Sequence, residues 1–235
     1  MTALLSPTAT AAALPGTAAP QRPLALLGGV ALLLAAPLLT AGAVTSPPQD
    51  SAAPADYIAS LARDPFLSSA SATLLHYGWV ALAFGLLAAI GLVRGRRGRG
   101  LALVGGITGA FGAMQVSGLV LNDWFLISLG RNVDPATAVT VFTSMGDASV
   151  SFWLACSKVA PFLPVLLWAG LARAGVISWW LVPLGLFWMI APFVLAAALP
   201  GTLGLVLAAV SGLVCSAPAL VTGARLLGRG RLARA

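Results

Sequence analysis

Apolar residues fill six long runs of this chain, at about 24–44, 71–93, 101–127, 149–171, 177–199 and 202–224, separated by short polar stretches. About twenty apolar residues wound as a helix reach ~30 Å, the thickness of a bilayer's hydrocarbon core. The pattern therefore predicts an all-α, polytopic membrane protein with six transmembrane helices. Residues 1–21 are rich in Ala, Pro and Thr, lack helical periodicity and read as a disordered tail. Residues 22–225 form one membrane domain, and residues 226–235 a basic tail. Ala41-Gly42-Ala43 resembles a signal-peptidase site. The long stretch before it favours a retained first helix, and Thr45 is external under either reading.

The polar stretches have their own periodicity. Tyr57, Ile58 and Leu61 share one helical face, and Pro65 blocks continuation, which predicts a short amphipathic helix lying on the membrane. Asp134-Pro135 is a helix start, with a carboxylate to cap and proline suited to the first position. Ala138, Val139, Phe142 and Met145 then share a face and predict a second interfacial helix, which Gly146 can end. Pro161 and Pro164 predict a kink in the fourth span; Pro183 and Pro192 lie in the fifth and Pro218 in the sixth.

Composition agrees with the pattern. The 235 residues are 59% hydrophobic and 8% charged, against roughly 25% charged in soluble domains. So few charges cannot build a water-facing surface. The net charge of +7 does not point to nucleic acid, because the arginines sit in short runs at the ends of apolar segments. Arg22, Arg94, Arg96, Arg97, Arg99, Arg173, Arg225, Arg229, Arg231 and Arg234 fall on one side of a six-span arrangement. Asp50, Asp56, Asp64, Asp123, Asp134 and Asp147 fall on the other, and only Arg63 and Arg131 dissent. The positive-inside rule then places both termini in the cytoplasm of a bacterial cell, with the chain multi-pass in the plasma membrane. Trp79, Trp124 and Trp153 are expected at the outer interface, Trp168, Trp179 and Trp180 at the inner one, and Trp188 between helices.

Few residues could carry chemistry. By helical rise, Gln115 lies ~22 Å from Gly100, Lys158 ~22 Å from Arg173 and His76 ~26 Å from Val93, so the three share a layer in the outer half. Asn122 and Asp123 lie above them. A lysine inside a span costs about 2.5–3.5 kcal/mol and needs a partner or water. Lys158 either snorkels to Asp123, Asp147 or lipid phosphate and fixes packing, or lines a water-filled cavity for a polar or anionic ligand. His76 reads first as a hydrogen-bonded belt residue, and Gln115 as an interhelical hydrogen bonder. Gly105-x-x-x-Gly109 lets another backbone approach closely. Arg94, Arg96, Arg97, Arg99, Arg225 and Arg229 are candidate contacts for anionic lipid headgroups on the cytoplasmic side. Cys156 and Cys215 lie in apolar segments and suit neither a disulfide framework nor zinc. No hydrolase elbow, HExxH or phosphate loop occurs, so no catalytic residue, metal or cofactor is assigned.

The chain resembles the uncharacterised six-helix integral membrane proteins of high-GC actinobacteria. The resemblance rests on the apolar first span, the short helix Ala55 to Arg63, the basic turn Leu92 to Gly100 and the glycine-rich third span. It implies a plasma-membrane location and supplies no functional residue. Two functions fit the sequence. One is binding or transport of a small polar or anionic solute through an outward-facing pocket of His76, Gln115, Asn122, Asp123 and Lys158. The alternative is a structural or accessory protein that packs against a partner, with the same residues serving as helix glue.

Overall fold

The computed structural model describes residues 21–51, 53–146, 148–188, 190–199 and 201–232. Among them every regular element is helical. In chain order these are α1 (Gln21–Thr45), α2 (Pro54–Arg63), α3 (Pro65–Ile90), α4 (Arg99–Asn132), α5 (Pro135–Ser144) and α6 (Ala148–Val159). A 3-10 turn (Ala160–Phe162) joins α6 to α7 (Pro164–Arg173), followed by α8 (Leu181–Phe187), α9 (Ala191–Ala198), α10 (Thr202–Cys215) and α11 (Ala217–Leu232). Of the tails expected at 1–21 and 226–235, residues 1–20 and 233–235 lie outside the described residues, as does Asp147; Gln21 instead starts α1 and residues 226–232 continue α11.

Four helices, Pro23–Thr45, Pro65–Ile90, Arg99–Asn132 and Val150–Arg173, are long and apolar enough to cross a membrane, or five if the bent pair α10–α11 is one span. The run at 177–199 is not one continuous helix: α8 ends at Phe187 and α9 starts at Ala191, with Pro192 in its first turn. Proline also ends α6 through the 3-10 turn, as expected at Pro161 and Pro164, and Pro218 follows the 44° bend between α10 and α11. The second span starts earlier than its hydropathy suggested. The Asp64 side chain accepts from the Leu67 amide at 3.0 Å and Pro65 takes the first position, so α3 begins at the end of α2.

In lipid no hydrophobic force joins apolar helices, so close packing through small residues must do so. The α1–α3 pair shows how. Gly85 and Gly78 of α3 receive Leu32 and Leu39 of α1, and Gly42 of α1 receives Leu75 of α3. A Cβ on any of the three would come within 2.7 Å of the facing leucine. The partners step by seven residues in opposite directions, which is an antiparallel seam. Gly105 opposes the backbone of Leu166 and Leu167 in α7, and Gly109 opposes Pro164, as the small-residue motif anticipated. At the end of that crossing a Cβ on Gly98 would lie 2.2 Å from the Gly170 carbonyl. Gly98 also has φ +79°, so the position suits glycine twice over. Leu32, Leu82, Leu86, Leu167 and Leu171 fill the core between these seams.

At 34 residues, α4 is ~51 Å long and overshoots the ~30 Å of a hydrocarbon core. Its last turns hold a second core. Ile58 and Leu61 of α2 and Ala138 of α5 are buried there against Leu126, Ile127 and Leu129 of α4. The apolar faces expected to rest on lipid are instead turned onto α4 and each other. Asp134 caps α5 as anticipated, accepting from the Thr137 amide at 3.0 Å.

Two sets of tryptophans depart from an interfacial belt. Trp79 is buried, its ring 5.5 Å from that of Trp188, and Trp168 is buried beside Gly185. Trp124, Trp179 and Trp180 are exposed, as an interfacial role requires.

Replacing Gly105 with Val forces a Cβ to within 2.1 Å of the Leu167 amide nitrogen. We expect destabilisation by about 1–3 kcal/mol or more, read as a lower Tm of the detergent-solubilised protein. Gly100→Ala meets nothing within 4 Å and is expected to leave Tm unchanged or slightly higher.

Candidate functional site

Among the described residues no hydrogen bond or ion pair joins the polar residues singled out by depth to one another. His76 of α3 pairs with Ser117 of α4: the imidazole Nδ1 lies 2.7 Å from the hydroxyl and 3.5 Å from the Ser117 carbonyl. The ring also packs edge-on to Tyr77 and 6.3 Å from Trp124. Near Gln115 the recorded contact is at its backbone: the Trp153 indole N–H donates to the Gln115 carbonyl at 3.1 Å, tying α6 to α4. Asn122 is half-buried. Asp123 accepts a hydrogen bond from the Tyr57 hydroxyl of α2. Lys158 is exposed on α6, among the exposed side chains Phe152, Leu154 and Val159. No ion pair joins it to Asp123. Among the described residues the ion pair is Arg63 with Asp50, at 2.8 Å and exposed. It joins one of the two dissenting arginines to an acid on the same side.

Tyr57 was legible only as an apolar-face residue. Its hydroxyl lands on Asp123 because α2 lies across α4, close enough that a Cβ on Gly130 would meet Ala62 and Ile58 at 2.9 Å. Burial first, then the neighbouring Asp123 charge and the hydrogen bond to it, push the Tyr57 phenol well above its ordinary range. Both polar groups of this half-buried pair are thereby satisfied, which makes it a latch for the α2–α5 cap.

The cavity of chemical interest lies elsewhere. A space of about 220 Å³ opens between α1, α3, α4 and the α8–α10 stretch, in the half of the bundle nearer the cap. Its wall includes Leu75, Trp79, Val116, Val120, Trp188 and Leu205, with Thr40 as its one hydroxyl. An apolar cavity of ~150 Å³ is already large enough to hold benzene. Thr40 Oγ1 is buried and has no hydrogen-bond partner among the described residues. Leaving such a hydroxyl unsatisfied costs about 1–3 kcal/mol. Sequence reading missed Thr40. The signal was a single hydroxyl in an otherwise apolar run, three residues past Pro37. None of His76, Gln115, Asn122, Asp123 or Lys158 lines this space.

At the opposite end of the bundle, Arg94, Arg96, Arg97 and Arg99 occupy the α3–α4 connection, and Arg225 and Arg229 lie on α11. Among the described residues no group of three or more His, Cys, Asp or Glu is placed to hold a metal.

Long apolar helices packed through glycine are compatible with the class of polytopic helical membrane proteins. No protein-family model, curated protein or solved structure matches the chain.

The Tyr57 pair has a testable sign. A phenol whose folded pKa is raised contributes stability below its unfolded value of ~10 and loses it as pH rises through the folded value. An alkaline titration followed by tyrosinate absorbance is expected to contain a late-ionising phenol that Tyr57→Phe removes. The same variant leaves Asp123 without its recorded partner and is expected to speed amide exchange in α2, with a cost of about 1–3 kcal/mol.

Proposed function

We propose that this chain is a six-pass protein of the bacterial plasma membrane that binds an apolar or amphipathic molecule in the outer half of the bilayer. Both termini lie in the cytoplasm, and the α2–α5 cap sits on the outer side, on the end of α4 that overshoots the lipid.

Neighbours along α1 support six crossings. Gly29 of α1 lies against Gly223 of α11, and Thr40 lies against Gly212 of α10, so α10–α11 runs antiparallel to α1. The end of α7 lies at the arginine end, where Gly98 meets Gly170, while α10 begins at the acid end. The stretch between them must travel the length of the bundle, and α8 and α9 are the two halves of that fifth passage. A broken passage keeps the parity even. It also fits the charge asymmetry, with arginines at one end and acids at the other. In a background without Cys156 and Cys215, a membrane-impermeant maleimide added to intact cells is expected to label Ser51→Cys and not Gly95→Cys. Labelling of the second and not the first would invert the orientation.

The single observation that carries the binding reading is the apolar cavity with one unpartnered hydroxyl. Its lining has little to offer a small hydrophilic solute and much to offer a hydrocarbon chain or ring. Lateral entry from lipid suits such a molecule, which is already concentrated in the membrane. The geometry therefore favours binding, as the sequence suggested, with an apolar ligand in place of a small polar or anionic one.

The accessory-protein reading has an observation of its own: His76–Ser117 and Tyr57–Asp123 are satisfied contacts between elements, which is how helix glue behaves. The two readings separate in one experiment. A dansyl-labelled medium-chain fatty acid is titrated into the purified protein, and binding is read by energy transfer from tryptophan. Saturable transfer is expected, weakened about tenfold, or 1.4 kcal/mol, by Val116→Phe, which fills the cavity. Thr40→Val is expected to raise Tm of the empty protein, because it removes a buried, unsatisfied hydroxyl. Transfer that does not saturate, or that Val116→Phe leaves unchanged, sinks the binding reading and leaves the accessory one.

A further inference from the structure

The six arginines singled out as candidate lipid contacts look equivalent in sequence, and membrane topology accounts for all of them alike. The fold separates them. Arg94 and Arg97 from the α3–α4 turn, and Arg225 and Arg229 from α11, line a single concavity of about 360 Å³. Arg96 and Arg99, in the same turn, do not line it. Its volume falls in the roughly 300–1,000 Å³ range of small-ligand sites.

The third wall is the turn after α7, at Ala174, Gly175 and Val176. That turn is a Schellman closure: the Val176 amide donates to the Leu171 carbonyl at 2.9 Å and the Gly175 amide to Ala172 at 3.0 Å. The Ala174 amide donates to Gly170, also at 3.0 Å. These N–H groups are occupied, so the turn supplies shape and the guanidinium groups supply the donors. Arg229 Nη1 donates to the Gly91 carbonyl at 3.3 Å, which ties that side chain to the end of α3.

Among the described residues no acid stands nearby. The described acids Asp50, Asp56, Asp64, Asp123 and Asp134 belong to the cap end, on α2, α4, α5 and their connections. Four like charges drawn from segments far apart in sequence repel one another, and the fold holds them together around empty space. An anion with several oxygens relieves that repulsion, and arginine forks match phosphate oxygens two at a time. We propose that Arg94, Arg97, Arg225 and Arg229 form a binding site for a phosphate group. The group is carried either on a membrane lipid or on a soluble molecule. Charge at this end explains weak attraction of anionic lipid to all six arginines; a built site demands that four of them differ from the other two.

That difference is the test. The full-length protein in detergent is titrated with inorganic phosphate and, separately, with short-chain phosphatidic acid, using short-chain phosphatidylcholine as the control lipid. Binding is read by thermal shift and by native mass spectrometry. Arg94→Gln with Arg229→Gln is expected to weaken binding on the order of tenfold or more, from the loss of charge-assisted hydrogen bonds. Arg96→Gln with Arg99→Gln removes the same charge and is expected to change binding by less than about twofold. Should the first pair disturb folding, Arg94→Lys with Arg229→Lys keeps the charge and is still expected to weaken binding by removing the planar fork. Saturation by inorganic phosphate assigns a soluble source, and saturation by phosphatidic acid alone assigns a lipid headgroup. Equal losses in the two Gln pairs, or no binding of either probe above the phosphatidylcholine control, would overturn the proposal. The site lies at the far end of the bundle from the Thr40 cavity, so either can fail without the other.

Discussion

The absence of a side chain holds this bundle together. Lipid rewards no leucine for leaving it, so helix pairing depends on how closely two backbones approach. Along the α1–α3 seam, glycine on one helix receives leucine from the other at seven-residue intervals. Just before and along α4, Gly98, Gly105 and Gly109 let the backbone and Pro164 of α7 approach, and Gly106 receives Ile90 of α3. The two seams share α3 and α4 as central staves. These are the two long helices without a proline in their interiors, since Pro65 stands at the first position of α3. The proline-bearing segments are arranged around them, where a break in the backbone does not split the core.

Much of this was legible in the chain and some was not, for identifiable reasons. Helix type, the broken fourth passage and the cap at Asp134 depend on local chemistry that short windows of sequence contain. The start of α3 did not follow hydropathy because Asp64 and Pro65 together outweigh the polar serines that follow. The division of the apolar run at 177–199 was signalled by Pro192, but hydropathy averages across such a break. The buried position of Trp79 and Trp168 could not be read from sequence. An indole near the end of an apolar run suits a headgroup belt and a helix–helix contact equally, and only the partner, Trp188 or Gly185, decides.

The candidate sites were harder to read than the fold. Depth along a helix can be counted in residues, but azimuth cannot be compared between helices without their packing. Counting places Lys158 level with His76 and Gln115, yet it is exposed while they are half-buried. Conversely, Arg94 and Arg229 are remote in sequence and meet through the fold, while Arg96 stands beside Arg97 and points elsewhere. Thr40 gained meaning only when its oxygen proved to have no partner. In each case the decisive quantity is a direction, and composition carries none.

The length of α4 has a mechanical consequence. It is one unbroken rod of 34 residues, with the arginine turn at its first residue and the cap's core on its last turns. A rod without a joint cannot pivot at one tip alone. Any tilt that shifts the glycine contact at Gly98 swings Leu126 and Ile127 through a larger arc, and α2 and α5 are carried along. The arginine turn and the α2–α5 core are therefore geared to each other by a single stiff shaft.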